Sequence, residues 1–254
     1  MRYLTSIIIA LFLFSTFYGN VYALNSIGEK PIHLKIDKYY ILYSIPSAPF
    51  IDKKNRLLIP LRLVEDLMGG SVDTKTNTAS LDHKFQFTVG STTAIVDDTV
   101  VKMDTMPVLK DGVIFIPLRL FLDHTDLKWE WSTKYKYLHL KDKRIVKGKP
   151  FEQFAGNDFT VTVSDNAFHL KSFMVKEEVL TIKALNISGK DIESGKADIQ
   201  PLVSYRRGGH SVDSYTRSNY PPLPAVEKDD EVIKRSTMYV SDASYIISVG
   251  RELK

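Results

Sequence analysis

The chain has 254 residues, 44% of them apolar and 25% charged, with a formal net charge of +4. That is enough apolar material for a sizeable core, in one or two domains, and the charge content of an ordinary soluble protein. It has no cysteine, which excludes disulfides, thiolate nucleophiles and cysteine-bound zinc or iron–sulfur centres, so core packing must hold it together.

Residues 1–23 read as a signal peptide. Arg2 supplies the positive start, Ile7 to Phe14 an apolar core, and Val21-Tyr22-Ala23 a small-residue cleavage site. The apolar run falls short of the roughly 20 residues a spanning helix needs. Cleavage after Ala23 is expected, giving a secreted or cell-wall-associated protein with no transmembrane segment in the mature chain. Next, Ile32, Leu34 and Ile36 alternate, followed by Tyr39 to Tyr43. This predicts a hairpin turning at Asp37-Lys38.

Ile59-Pro60-Leu61-Arg62-Leu63 returns unchanged as Ile116-Pro117-Leu118-Arg119-Leu120, with Asp66 and Asp123 at the same place after each copy. A repeat shorter than a domain suggests one supersecondary unit used twice. Leu57 to Ile59 and Val113 to Ile116 read as strand ends, proline as the corner and first helical position, and the following leucines as a short helix. Arg62 and Arg119 then stand in the first helical turn, at the positive end of the dipole, with an acid at i+4 in the weaker orientation. A partner outside the arginine's own helix is expected for each, and a structural role rather than ligand binding.

Further strand pairs are expected at Ala79–Leu81 with Phe85–Val89, and at Ala94–Val96 with Val100–Met103 across the turn Asp97-Asp98-Thr99. Trp129-Glu130-Trp131 and Tyr137 to Leu140 alternate as strands, the tryptophans packing on one sheet face, with stacking on sugars as the alternative. Residues 141–149 carry five basic side chains and read as an exposed boundary, with weak attraction to anionic wall polymers or lipid headgroups as the functional reading. Short strands at Phe159–Val163, Phe168–Leu170, Leu180–Ala184, Ile199–Tyr205, Val232-Ile233, Met238–Val240 and Tyr245–Val249 predict an antiparallel sandwich. Within it the irregular segment from Arg206 to Val226 is a candidate contact loop, through Arg206, Arg207, Tyr215 and Tyr220.

Chemistry-bearing motifs are sparse. The six histidines are scattered with no paired spacing, and the calcium-like run at Asp73 has Lys75 where an oxygen ligand belongs. There is no phosphate loop, dinucleotide fingerprint or nucleophile elbow. No catalytic, metal or cofactor-binding residue is assigned, and no nucleic-acid partner is expected.

Asn55-Arg56-Leu57-Leu58-Ile59-Pro60-Leu61-Arg62, Glu65, Gly69-Gly70, Val89-Gly90-Ser91, Ala94 to Asp98, Met106-Pro107-Val108, Ile116 to Arg119 and Trp129 to Trp131 stand in an order that resembles the N-terminal, stalk-type domain of copper amine oxidases. That module also occurs in secreted proteins of Gram-positive bacteria. The first copy lacks the tryptophan, and the second lacks the glutamate and glycines. The resemblance implies an appendage used for attachment or spacing, because nothing here corresponds to the oxidase's catalytic domain with its modified tyrosine and histidine-bound copper. More weakly, Asn186 to Lys190 and Glu227 to Glu231 resemble immunoglobulin-like accessory domains.

The expected fold is therefore an α+β module of two strand–proline–helix half-repeats over residues 24–146, a linker at 147–156, and an all-β immunoglobulin-like sandwich over 157–254. The expected function is non-catalytic binding or scaffolding at the bacterial cell envelope, with a wall polymer or a secreted protein as partner. The alternatives are an accessory subunit or inhibitor of a secreted enzyme, and a hydrolase with its site in the C-terminal part.

Overall fold

The computed structural model describes residues 27–44, 47–75, 77–212, 221–240 and 242–254. The expected signal peptide, Tyr215 and Tyr220 lie outside the described residues. About half of the described residues are in strands, which form several antiparallel sheets. No helix among the described residues is long and apolar enough to cross a membrane.

Strand β1 (Ile27–Pro31) leads into the hairpin of β2 (Leu34–Ile36) and β3 (Tyr39–Ser44), which turns on Asp37 at φ 52°. After the short β4 (Phe50–Ile51), β5 (Leu57–Pro60) runs directly into α1 (Leu61–Met68). Pro60 is the cap rather than the first helical residue, one position earlier than the sequence suggests. Leu61, Leu63, Val64 and Leu67 are buried, and Gly69 ends the helix at φ 79°, a left-handed conformation that glycine adopts without steric cost.

A meander follows, β6 (Val72–Lys75), β7 (Thr78–Leu81), β8 (Phe85–Thr88), β9 (Thr93–Val96) and β10 (Thr99–Lys102), each strand pairing with the next. Asp97 and Asp98 both hold positive φ, as a two-residue turn matched to strand twist requires. Strands β11 (Val108–Lys110) and β12 (Val113–Pro117) then lead into α2 (Leu118–Asp123). The two copies meet directly: β12 pairs antiparallel with β5, with Ile116 opposite Ile59, Phe115 opposite Pro60 and Pro117 opposite Leu58. Phe121 of α2 packs on Phe85 and Phe87 at 4.7 and 5.6 Å between centroids, which closes the meander over this pair.

The remaining elements are β13 (Trp129–Ser132), β14 (Tyr137–Leu140), a 3-10 turn (Lys143–Ile145), α3 (Lys149–Gly156), β15 (Thr162–Ser164), β16 (Phe168–Lys176), β17 (Val179–Asn186), β18 (Ala197–Tyr205), β19 (His210–Val212), β20 (Glu231–Thr237) and β21 (Ala243–Leu253). They complete two sheets. One runs β1-β16-β17-β20, and the other β13-β14-β2-β3-β21-β18-β19 with β15 also on β21. Their apolar faces share a core that includes Tyr40 and Leu42 from β3, Phe168 and Leu170 from β16, and Ile246 from β21.

The pairing crosses the boundary expected at 147–156. Strand β21 lies between β3 and β18, so the C-terminal part and the N-terminal module share one sheet, and β1 joins the opposite sheet through β16. The expected linker is helix α3, with Phe151 and Phe154 buried against Tyr39 at 4.8 and 5.4 Å. Burying a side chain of that size contributes about 2–3 kcal/mol, enough to hold a short helix down despite its basic flank. Met238–Val240, expected as a strand, follows the end of β20 as irregular chain with Met238 and Val240 buried. Phe159 is 88% exposed and β15 begins only at Thr162, so the expected 159–163 strand contributes little core.

Arg251 of β21 is fully buried beside β18. Its guanidinium donates to Asp198 Oδ2 and Asp158 Oδ2, both at 2.6 Å, and to Gln200 Oε1. Such a cluster adds little net stability, because desolvation offsets attraction, but removing one member would leave an uncompensated buried charge.

Candidate functional site

A cleft of about 570 Å³ opens where α1, the start of α3 and the β18–β19 turn come together. Arg62 and Asp66 come from the exposed side of α1, because the buried side is taken by its leucines and Val64. Lys147 and Lys149 flank Gly148, whose amide and that of Lys147 both donate to the Leu67 carbonyl, at 3.1 and 3.3 Å. These bonds satisfy the end of α1 and clamp the basic segment against it. Arg206 stands opposite, at a turn made by Gly208 and Gly209 at φ 88° and 84°. Its guanidinium donates to the Tyr43 hydroxyl, and its amide to the Asp242 carbonyl at 3.1 Å.

Four cationic side chains thus line a hollow that holds one carboxylate, Asp66. That carboxylate accepts from the Tyr245 hydroxyl and lies 3.8 Å from the Arg62 guanidinium. Burial, then the hydrogen bond to Asp66 and its charge, push the Tyr245 phenol far above its ordinary pKa, so the hydroxyl stays a donor. The Ser204 hydroxyl donates to Gln153 Oε1 at 3.0 Å and ties α3 to β18 beneath the cleft.

Both arginines of the repeat differ from expectation. Arg62 and Arg119 are about two-thirds exposed, and each pairs with the aspartate of its own helix, Asp66 at 3.8 Å and Asp123 at 3.3 Å. Solvent screens the unfavourable dipole at these positions, so no acceptor in the other half is needed. The two also face different hollows: Arg62 lines the cationic cleft, whereas Arg119 lines two smaller ones, one beside Asp104 and Asp123 and one beside Trp129 and Trp131. Pro60 and Pro117 are the buried caps of the two helices. Of the contact-loop residues, Arg206 meets Arg62 in the cleft and Arg207 is exposed in the adjoining turn. Gly148 and Tyr245 carry no motif in the sequence; only the basic run from 141 signals this side of the cleft.

Among the described residues no group of three or more histidine or acidic side chains could hold a metal ion. A histidine-bound copper therefore finds no such ligand set among the described residues.

Comparison with family models matches residues 35–140 to the copper amine oxidase N-terminal domain. Those residues are a copper amine oxidase N-terminal domain. The match ends at Leu140 of β14 and does not extend to the oxidase's catalytic domain. No curated protein and no solved structure matches the chain. The copper amine oxidase N-terminal domain supplies Arg62 and Asp66 to the cleft, and the chain beyond it supplies Lys147, Lys149, Arg206 and Tyr245.

Proposed function

We propose that the protein is exported and acts without catalysis, as a binding or scaffolding protein of the bacterial cell envelope that holds an anionic polymer in the cleft between α1, α3 and the β18–β19 turn. One observation carries this reading: Arg62, Lys147, Lys149 and Arg206 line the same hollow with Asp66 as its single acid. A ligand bearing phosphates or carboxylates meets an excess of positive charge there, and the polar floor of Ser204 and Gln153 suits a solvated chain. The same reading takes the two strand–helix units as half-repeats of one stalk module, related through the Ile59–Ile116 pair, and the two larger sheets, to which residues 157–254 contribute together with β1, β2, β3, β13 and β14, as an immunoglobulin-like sandwich. The antiparallel meeting of β5 and β12 and the shared core between the two larger sheets support it.

The test is co-sedimentation of the mature protein with purified cell walls. A basic side chain near an anionic surface contributes on the order of 1 kcal/mol. Replacing Arg62, Lys147 and Lys149 together by alanine should therefore weaken pelleting on the order of a hundredfold. Added salt should weaken the wild type in the same direction. Pelleting of a folded triple variant at wild-type strength would overturn the reading.

A further inference from the structure

Trp129 and Trp131 stand two residues apart on β13, so their indoles project to the same face. Strand β13 is the edge of its sheet, and both side chains are 40% exposed. Beneath them lies a second hollow of about 300 Å³, with an apolar floor that includes Leu122 and a rim formed by Asn55, Arg56 and Arg119. Exposed tryptophan is costly to leave against water, and two of them over one hollow form a built platform rather than scattered surface residues.

We infer that this hollow is a binding site for a neutral saccharide chain, separate from the cationic cleft and independent of its reading. The indole faces offer an electron-rich surface to the C–H faces of a sugar ring. The rim determines that the ligand is neutral. Arg56 is ion-paired with Asp104 and Arg119 with Asp123, so both guanidiniums present donors while their charge is already balanced. Hydroxyl groups match such donors, and phosphates gain little from them. Asn55 adds an amide that can donate and accept at once, the pairing that two adjacent hydroxyls require. Its loop is held rigid before any ligand arrives: Asp52 Oδ1 accepts from the amides of Lys54 and Arg56, both at 2.8 Å, and Asp52 Oδ2 from the Thr105 hydroxyl at 2.7 Å. A pre-ordered rim lowers the entropy lost on binding.

Trp129 and Trp131 are the two tryptophans of the chain, so its intrinsic fluorescence reports on this site directly. Titration with neutral hexasaccharides of β-1,4-linked N-acetylglucosamine and glucose should give a saturable change in emission with at least one of them. Asn55→Ala and Arg119→Ala should each weaken that response about tenfold, the loss of a hydrogen-bonding partner. Trp129→Ala should abolish binding in calorimetry, whereas Trp131→Phe should retain part of it, and an unchanged melting temperature would certify each fold. The inference is overturned if emission ignores both sugars at millimolar concentration. It is also overturned if emission responds to polyglycerol phosphate or a peptide instead, or responds equally in the Asn55 and Arg119 variants.

Discussion

Gly148 holds φ −74°, a value open to any residue, yet a Cβ there would lie 2.0 Å from the Asp66 carbonyl oxygen and 2.7 Å from the Leu67 Cα. Space rather than backbone freedom selects glycine, because the chain passes directly over the end of α1. Gly148→Ala should therefore push α3 off α1 and cost at least about 2 kcal/mol in a denaturant melt. Gly156→Ala, where an added methyl meets nothing within 4 Å, should be silent or slightly stabilising, since alanine is the better helix former. His169 gives a second residue-level expectation. Burial first, and then the charges of Lys35 and Lys171, lower its pKa from 6.5 to about 4. The folded protein thus resists a proton that the unfolded chain accepts, so this contribution is complete above pH 6.5 and is lost as pH falls from there towards 4. The loss should approach roughly 3 kcal/mol, and in His169→Phe the acid limb of the stability profile should flatten. Single-residue chemistry was the most legible level: the proline corners and the Asp97-Asp98 turn each follow from a local preference. The arginine partners were not, because the dipole argument takes no account of how strongly solvent screens an exposed side chain.

Elements with a clear apolar period could be read from the chain. The β2–β3 hairpin, the β7–β8 and β9–β10 pairs and both strand–helix units fall where alternation or helical spacing places them. Helix α3 was hidden because its two core residues, Phe151 and Phe154, follow a dense run of lysines and an arginine that reads as solvated boundary. Charge on one face says nothing about whether another face is covered. The tryptophans of β13 illustrate the converse. Their alternation correctly puts them on one face, but only the position of β13 at the sheet edge leaves that face open. The two candidate sites were legible as residue types and illegible as places, since Arg62 and Arg206 are brought together by strand order, which local pattern does not encode.

At the scale of the molecule, β3, β21 and β18 bind the N-terminal module and the C-terminal strands into one hydrogen-bonded sheet. The protein should accordingly melt in a single cooperative transition, and residues 147–156 should resist limited proteolysis. A fragment ending at residue 146 would expose the β3 edge and the apolar side chains that β21 covers, and should fail to give a dispersed NMR spectrum. Two separate transitions, with a folded fragment, would show that the shared sheet is not needed for either part.

The place of β21 also sets the order in which the chain can mature. Its Ile247 pairs with Ile41, a partner about two hundred residues earlier, so the middle of the largest sheet stays open until nearly all of the intervening chain has been made. Such late closure makes folding slow, and it leaves one edge of β3 without its strand partner through nearly the whole of synthesis.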